Sequence, residues 1–189
     1  MEFLFQIVFP ENHLLSRYTL VMFLAIDDAD EEWIVPPWSC GELSRGLFSR
    51  RHLAEQQRLH AVFLFDRDDV SQRSEIVSPV DCRRLVLADG PDESRVLFGE
   101  LRSRPRWILD DETPLALEGE HPGVFCLSGA QDLVLPPRQG APAQIVVDYF
   151  CAAGKRPENA GYSLFAGNAV YFFAYPGVDP RVCVVVQSE

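Results

Sequence analysis

The sequence is almost without lysine. Lys155 is the single lysine among 17 basic side chains in 189 residues, and the others are arginine. A phosphate-binding loop ending in Gly-Lys-Ser/Thr, a Schiff-base lysine and the strand lysine of a protein kinase each need a lysine in a defined setting. Lys155 lies between Gly154 and Arg156, in a sequence that matches none of these settings. The sequence therefore argues against lysine-dependent chemistry.

Long apolar runs and closely spaced cysteine pairs are also lacking. The longest apolar run, Leu20 to Ile26, is far shorter than the roughly 20 residues that a membrane-spanning helix needs. The cysteines are Cys40, Cys82, Cys126, Cys151 and Cys183. Their odd number and wide spacing fit neither a disulfide framework nor a zinc site. The N-terminus, with Glu2 and a first arginine at Arg17, does not resemble a secretory signal. We expect a cytoplasmic protein without a cofactor or a metal.

Positive charge is scarce throughout. With 28 acidic side chains the formal net charge is −11, which disfavours nucleic acids and anionic membranes because both bind basic surfaces. Residues 1–38 have seven acidic and one basic side chain, whereas residues 39–60 have two acidic and four basic ones. The composition is otherwise that of a globular protein, and its length suits one domain over residues 1–189. We expect a basic protein partner.

The apolar segments predict an α+β fold, a β-rich single domain. Phe3–Phe9 and Leu20–Ile26 are apolar on both faces, and the turn between them predicts an N-terminal antiparallel hairpin. The segments 144–150, 162–166, 170–175 and 182–186 predict a C-terminal antiparallel meander, with a two-residue turn at Gly167-Asn168. Strands that follow one another without intervening helices are typical of this class.

One main helical segment is predicted at residues 39–60. Ser39 and Glu42 form a capping-box pattern, and leucines recur after it at near-helical spacing. On such a helix His52 and His60 would lie on one face. They could form half of a metal site, but no third ligand is near in the sequence, which favours two surface histidines.

An acidic sequence runs directly into an aromatic one at residues 27–38. The residues with binding potential are Asp27, Asp28, Asp30, Glu31, Glu32, Trp33 and Trp38. Carboxylates attract a basic partner, and tryptophan is over-represented among the residues that dominate binding energy. The alternative is a solvated loop whose two tryptophans pack into the core. A calcium loop is excluded, because Trp33 occupies the position that needs glycine.

Two more clusters of carboxylates follow predicted strands, at residues 66–69 and 110–112. Clustered carboxylates can hold a divalent metal for hydrolysis. Neither cluster adjoins a histidine, and acids at strand ends are usually solvated turn residues. We therefore expect no metal at either place.

A catalytic alternative uses Cys40, His121 and Asp132. Cys40 follows the predicted helix cap, where unsatisfied amides favour a thiolate. His121 precedes a short predicted strand and could act as the base, with Asp132 to orient it. This order, a cysteine at a helix start and then the sequence His121-Pro122-Gly123-Val124-Phe125, resembles papain-like amidases. The resemblance implies a cysteine-dependent hydrolase or transferase.

The absence of a complete catalytic motif makes a binding function the leading hypothesis. We expect a non-catalytic acidic protein that docks onto or neutralises a basic protein, in the manner of an immunity or inhibitor protein. The cysteine-dependent enzyme is the alternative. A second alternative is a structural or assembly subunit whose apolar edge strands pair with another chain.

Overall fold

The fold is that of a computed structural model. It describes residues 2–24, 47–57, 60–69, 85–90, 97–114, 116–117, 123–131, 133–136, 138–140, 146–148, 153–155, 162–165 and 167–187. The statements below concern these residues.

A seven-stranded sheet, rolled into a half-barrel, dominates the described part of the chain. The elements are β1 (Glu2–Val8), β2 (Tyr18–Leu24), β3 (Leu47–Phe48), α1 (Arg50–Gln56), β4 (His60–Asp66), β5 (Gly99–Glu100), β6 (Ala116–Leu117), β7 (Val124–Gly129), β8 (Val134–Leu135), β9 (Val146–Asp148), β10 (Ala153–Lys155), β11 (Tyr162–Ser163), β12 (Ala169–Tyr175) and β13 (Asp179–Gln187). The strand order is β1-β2-β4-β13-β12-β7-β5, and every neighbouring pair in it is antiparallel.

The predicted N-terminal hairpin is confirmed. Strands β1 and β2 pair from Glu2 opposite Leu24 to Val8 opposite Thr19, with a bulge near Phe3. Their β-branched and aromatic residues suit a pleated surface, although β1 leaves the side chains of Gln6 and Val8 exposed. In the connecting turn the backbone amide of Leu15 donates to His13 Nδ1 at 3.1 Å. This turn fixes the register in which β2 presents its other edge to β4.

The sheet has an apolar layer on each side. The inner layer is the larger one and includes Phe9, Leu20, Met22, Cys126, Phe165 and Phe172, all at most 1% exposed. The outer layer packs Leu53 of α1 against Tyr171, Phe173 and Val185 of β12 and β13. Because successive side chains of a strand point to opposite faces, strands buried on both sides have the continuous apolar sequences seen here.

The two ends of the strand order approach each other. Phe5 belongs to β1, at one end of the order, and Phe98 directly precedes β5, at the other end. Their ring centroids are 4.7 Å apart and nearly perpendicular, a favourable aromatic geometry. The accumulated twist of the strands thus rolls the sheet round its inner layer.

The centre of the sheet is a narrow seam between β4 and β13. These strands share one register pair, Arg181 opposite Phe63, whereas β2 and β4 are paired along their whole length. The side-chain amide of Gln57, which is 9% exposed, spans the seam. Its nitrogen donates to the carbonyl oxygens of Val62 at 3.3 Å and Val182 at 2.9 Å.

The predicted α+β class with a main helical segment at 39–60 is wrong. The described structure is mostly antiparallel sheet, and its α-helix is the seven-residue α1. Leu47 and Phe48, which were expected within the helix, form β3 and pair in parallel with β6. His60 begins β4. Pairing between distant parts of the chain overrides the local helical spacing. Residues 39–46 lie outside the described residues.

The predicted C-terminal meander is correct only in its last hairpin. Strands β12 and β13 form that hairpin, with Gly177 at φ 75° in the turn. Strand β11, expected beside β12, pairs instead with β8, and β9 pairs with β10. The neighbour of β12 on its other edge is β7. A turn sequence at Gly167 was therefore not sufficient to pair the strands on either side of it.

Candidate functional site

The predicted acidic and aromatic binding segment lies outside the described residues. This holds for Asp27, Asp28, Asp30, Glu31, Glu32, Trp33 and Trp38. The structure does describe the end of β2, which precedes this segment in the sequence. Strand β2 ends at Leu24, which pairs with Glu2 on one side and with His60 on the other. The acidic sequence starts three residues after Leu24.

The catalytic alternative also falls outside the described residues, because Cys40, His121 and Asp132 all do. Two other cysteines are described. Cys126 and Cys183 are fully buried free thiols. Burial raises the pKa of both thiols far above the ordinary value, so neither forms a nucleophilic thiolate at neutral pH.

Asp66, in the first of the carboxylate clusters, is neutralised by arginine. Arg17 Nε donates to Asp66 Oδ2 at 2.6 Å, and the backbone amide of Asp68 donates to Asp66 Oδ1 at 3.2 Å. The amide of Asp68 and the guanidinium of Arg17 lower the pKa of Asp66. Arg67 Nη1 donates to the carbonyl oxygen of Ser16 at 2.9 Å. These contacts tie the end of β4 to the β1–β2 turn.

A shallow cleft of about 300 Å³ lies beside this ion pair. Its lining is Glu11, Ser16, Arg17, Asp66, Arg67 and Asp68. Both signs of charge are present and partly paired across the cleft. The cleft is small for a ligand pocket, and its polar lining differs from the apolar walls that ligand pockets usually have.

The second carboxylate cluster forms an exposed turn. Asp111 Oδ1 accepts a hydrogen bond from the backbone amide of Thr113 at 2.9 Å, and the hydrogen bonds from Thr113 lower the pKa of Asp111. The carboxylate thus stabilises its own turn. Among the described residues no three His, Cys, Asp or Glu side chains are grouped so that they could hold a metal ion.

Gln187 anchors the segment before this turn to the outer face of the sheet. Its Oε1 accepts from the backbone amides of Ile108 at 3.2 Å and Leu109 at 3.1 Å, and its Nε2 donates to the carbonyl of Asp110 at 2.7 Å. Trp107 packs on Tyr171 with ring centroids 4.3 Å apart. Leu109 is nevertheless 57% exposed. Residues 107–110 are thus held in place on the surface, where the exposed Leu109 is next to Asp110 in the sequence.

A partly buried ion pair lies at the turn between β12 and β13. Asp179 is 6% exposed, and Arg181 Nε donates to its Oδ1 at 2.8 Å. Burial opposes ionisation of Asp179, but the hydrogen bonds from Arg181 outweigh it and lower the pKa. This pair neutralises its own charge, as the pair of Arg17 and Asp66 does, so both serve the fold.

His60 differs from its predicted surface position. It is 4% exposed, at the start of β4. Burial lowers the pKa of its imidazole to about 4, so the ring is neutral at physiological pH. The buried Gln57, Asp179 and Gln187 were likewise missed by sequence reasoning. The continuous apolar run Ala61–Phe65 directly after His60 was the available sign that it belongs to a strand.

Comparison with known proteins identified no relative. No known protein family, no curated protein and no solved structure matches this chain. None of the described helices has the length and apolar character needed to cross a membrane.

Proposed function

We propose that the protein is a non-catalytic acidic binding protein that docks onto or neutralises a basic protein partner. The observation that supports this is the formal net charge of −11. A surplus of this size attracts basic proteins over a distance set by the ionic strength, and it speeds their association. A cytosolic location is part of the proposal, in keeping with the free thiols of Cys126 and Cys183.

The position of the surplus narrows the proposal to one segment. The described residues contain 13 of the 28 acidic side chains and 10 of the 17 basic ones, which leaves them close to neutral. Most of the surplus therefore belongs to the rest of the chain. Residues 27–32 alone contribute five carboxylates and no basic side chain. We place the main binding contacts there, with Trp33 and Trp38 as the apolar anchors.

The test compares two variants of equal charge. The first neutralises the segment with Asp27→Asn, Asp28→Asn, Asp30→Asn, Glu31→Gln and Glu32→Gln. The matched control neutralises five acids elsewhere with Asp68→Asn, Asp89→Asn, Asp110→Asn, Glu112→Gln and Asp148→Asn. The probe is a fluorescent nona-arginine peptide, and anisotropy gives its Kd at several salt concentrations.

We expect the segment variant to bind the probe at least about tenfold more weakly than the wild type, and the control to lose only about threefold. Equal losses in the two variants would show that binding follows total charge alone, which would refute the segment. Binding by the wild type that does not weaken with salt would refute the electrostatic proposal itself.

A further inference from the structure

The two edge strands of the sheet are unlike each other. Strand β5 has two residues, and Glu100 in it forms an ion pair with Arg102. A short, charged edge of this kind discourages pairing with other chains. Strand β1 has seven residues, and in the described part of the chain its strand partner is β2 alone. Its other edge is thus long and open to pairing in that part of the structure.

Strand β1 has few of the features that protect an edge. From Phe3 to Phe9 the sequence has no charged residue and no proline, whereas natural edge strands usually carry lysine, proline or inward-pointing charges. A bulge interrupts its register only near Phe3. Gln6 is exposed, and Val8 is 44% exposed. Such a strand is suited to receive another strand.

An aromatic contact lies inside the half-barrel beside the outer edge of β1. The rings of Phe5 and Phe98 meet inside the half-barrel and span the gap between β1 and the segment that leads into β5. Among the described residues, side chains and not backbone hydrogen bonds bridge this gap. Phe5 itself is only 7% exposed, so a strand placed along β1 would direct its inward side chains towards the partly exposed ring of Phe98.

Charge decides which kind of strand fits. A second copy of this chain would bring the same net charge of −11 and would be repelled, whereas a basic chain would be attracted. Glu2 begins β1, and the exposed Glu11 follows its end by three residues. Acidic residues therefore flank this edge at both ends.

We propose that the edge of β1 is the docking site for an extended segment of the basic partner. The segment has alternating apolar residues in its middle and arginine or lysine at its ends. Its backbone hydrogen bonds to β1 supply affinity, and its inward side chains supply specificity. This inference rests on the proposed function, to which it adds the mode of binding.

Two peptides of identical charge test the inference. The first is Arg-Arg-Thr-Val-Thr-Val-Thr-Arg-Arg, and the second has the same sequence with its five central amides N-methylated, which removes the backbone donors. Anisotropy gives both affinities, and hydrogen exchange with mass spectrometry follows the amides of β1 and, for comparison, those of β12. We expect the first peptide to bind at least about tenfold more tightly and to protect β1 but not β12.

The other outcomes separate the two proposals. Equal binding of both peptides, weakened by salt and by neutralising residues 27–32, would leave the proposed function intact and overturn the docking site. Failure of both peptides to bind at low salt would overturn the proposed function and the docking site together. Self-association of the protein in sedimentation, accompanied by protection of β1, would show that a second copy occupies the edge and would also overturn the inference.

Discussion

The side-chain amide of Gln57 donates a hydrogen bond of 2.9 Å to the backbone carbonyl oxygen of Val182. It joins the residue that follows helix α1 to the central strand of the sheet. The same nitrogen also donates to Val62 on the neighbouring strand. The buried side chain of Gln57 thus adds hydrogen bonds at the place where β4 and β13 share a single register pair.

Replacement of Gln57 by alanine should destabilise the protein. The variant leaves two buried carbonyl oxygens without their side-chain donor, which costs about 1–3 kcal/mol in the free energy of unfolding. Chemical denaturation followed by circular dichroism measures the loss. The exposed Gln139 provides the control, since its replacement by alanine should change stability by less than about 0.5 kcal/mol. An unchanged midpoint in the Gln57→Ala variant would contradict the role of the bridge.

Replacement of Gln187 by alanine should release the segment around Trp107. The variant loses the acceptor for two backbone amides and the donor to Asp110. We expect a loss of about 2–3 kcal/mol in the free energy of unfolding, as is typical of several buried hydrogen bonds. The amides of Ile108 and Leu109 should exchange with solvent markedly faster, whereas those of β1 should change only with global stability. Exchange that speeds up equally in both places would mean that Gln187 acts on the whole fold.

Burial of His60 should make stability depend on pH. The pKa of this imidazole is about 4 in the folded protein and about 6.5 in the unfolded chain. Between these values the unfolded chain binds more protons, so stability is complete above about pH 6.5 and falls as the pH falls towards 4. The full effect is about 3 kcal/mol. Thermal unfolding of wild type and His60→Gln at pH 7 and pH 4.5 measures it, because carboxylate titration is common to both. An equal pH response of the two proteins would contradict the burial of this ring.

Cys126 and Cys183 should resist alkylation in the native protein. Both thiols are buried, and their raised pKa keeps them protonated. We expect iodoacetamide to label them only after denaturation, which peptide mass spectrometry detects residue by residue. The same experiment tests the cysteine-dependent alternative, since rapid labelling of Cys40 at neutral pH would favour it. Labelling of Cys126 before denaturation would contradict the described core.

The sequence was sufficient to predict strands whose partners are neighbours along the chain. Strands β1 and β2 were recognisable because both are apolar on two faces and a turn sequence separates them. The hairpin of β12 and β13 was recognisable for the same reason, with Gly177 in its turn. In these hairpins the turn itself determines which strands meet.

Pairing between distant segments could not be predicted in this way. Strand β7 lies beside β12, and β13 lies beside β4, although more than a hundred residues separate β4 from β13. The local sequence does not specify which distant strands become neighbours. That depends on how the side chains of the whole chain pack in the two apolar layers. The predicted helix at 39–60 was wrong for a related reason, because β3 pairs with the distant β6.

The roles of the buried polar residues could not be predicted from the sequence either. Gln57 and Gln187 are ordinary polar residues in the sequence, and only the backbone groups around them reveal their roles. The carboxylates of Asp66 and Asp111 had been considered as metal ligands, but they serve an ion pair and a turn. The predicted binding segment 27–38 and the predicted triad stay predictions.

The position of β13 has a consequence for biosynthesis. This strand occupies the middle of the sheet, yet it is the last described strand to leave the ribosome. Until it emerges, the hairpin of β1 and β2 with β4 has no continuation, and the facing edge of β4 is exposed. A nascent chain in this state is prone to wrong pairing. Chaperone demand should therefore last until residues 179–187 have left the ribosome.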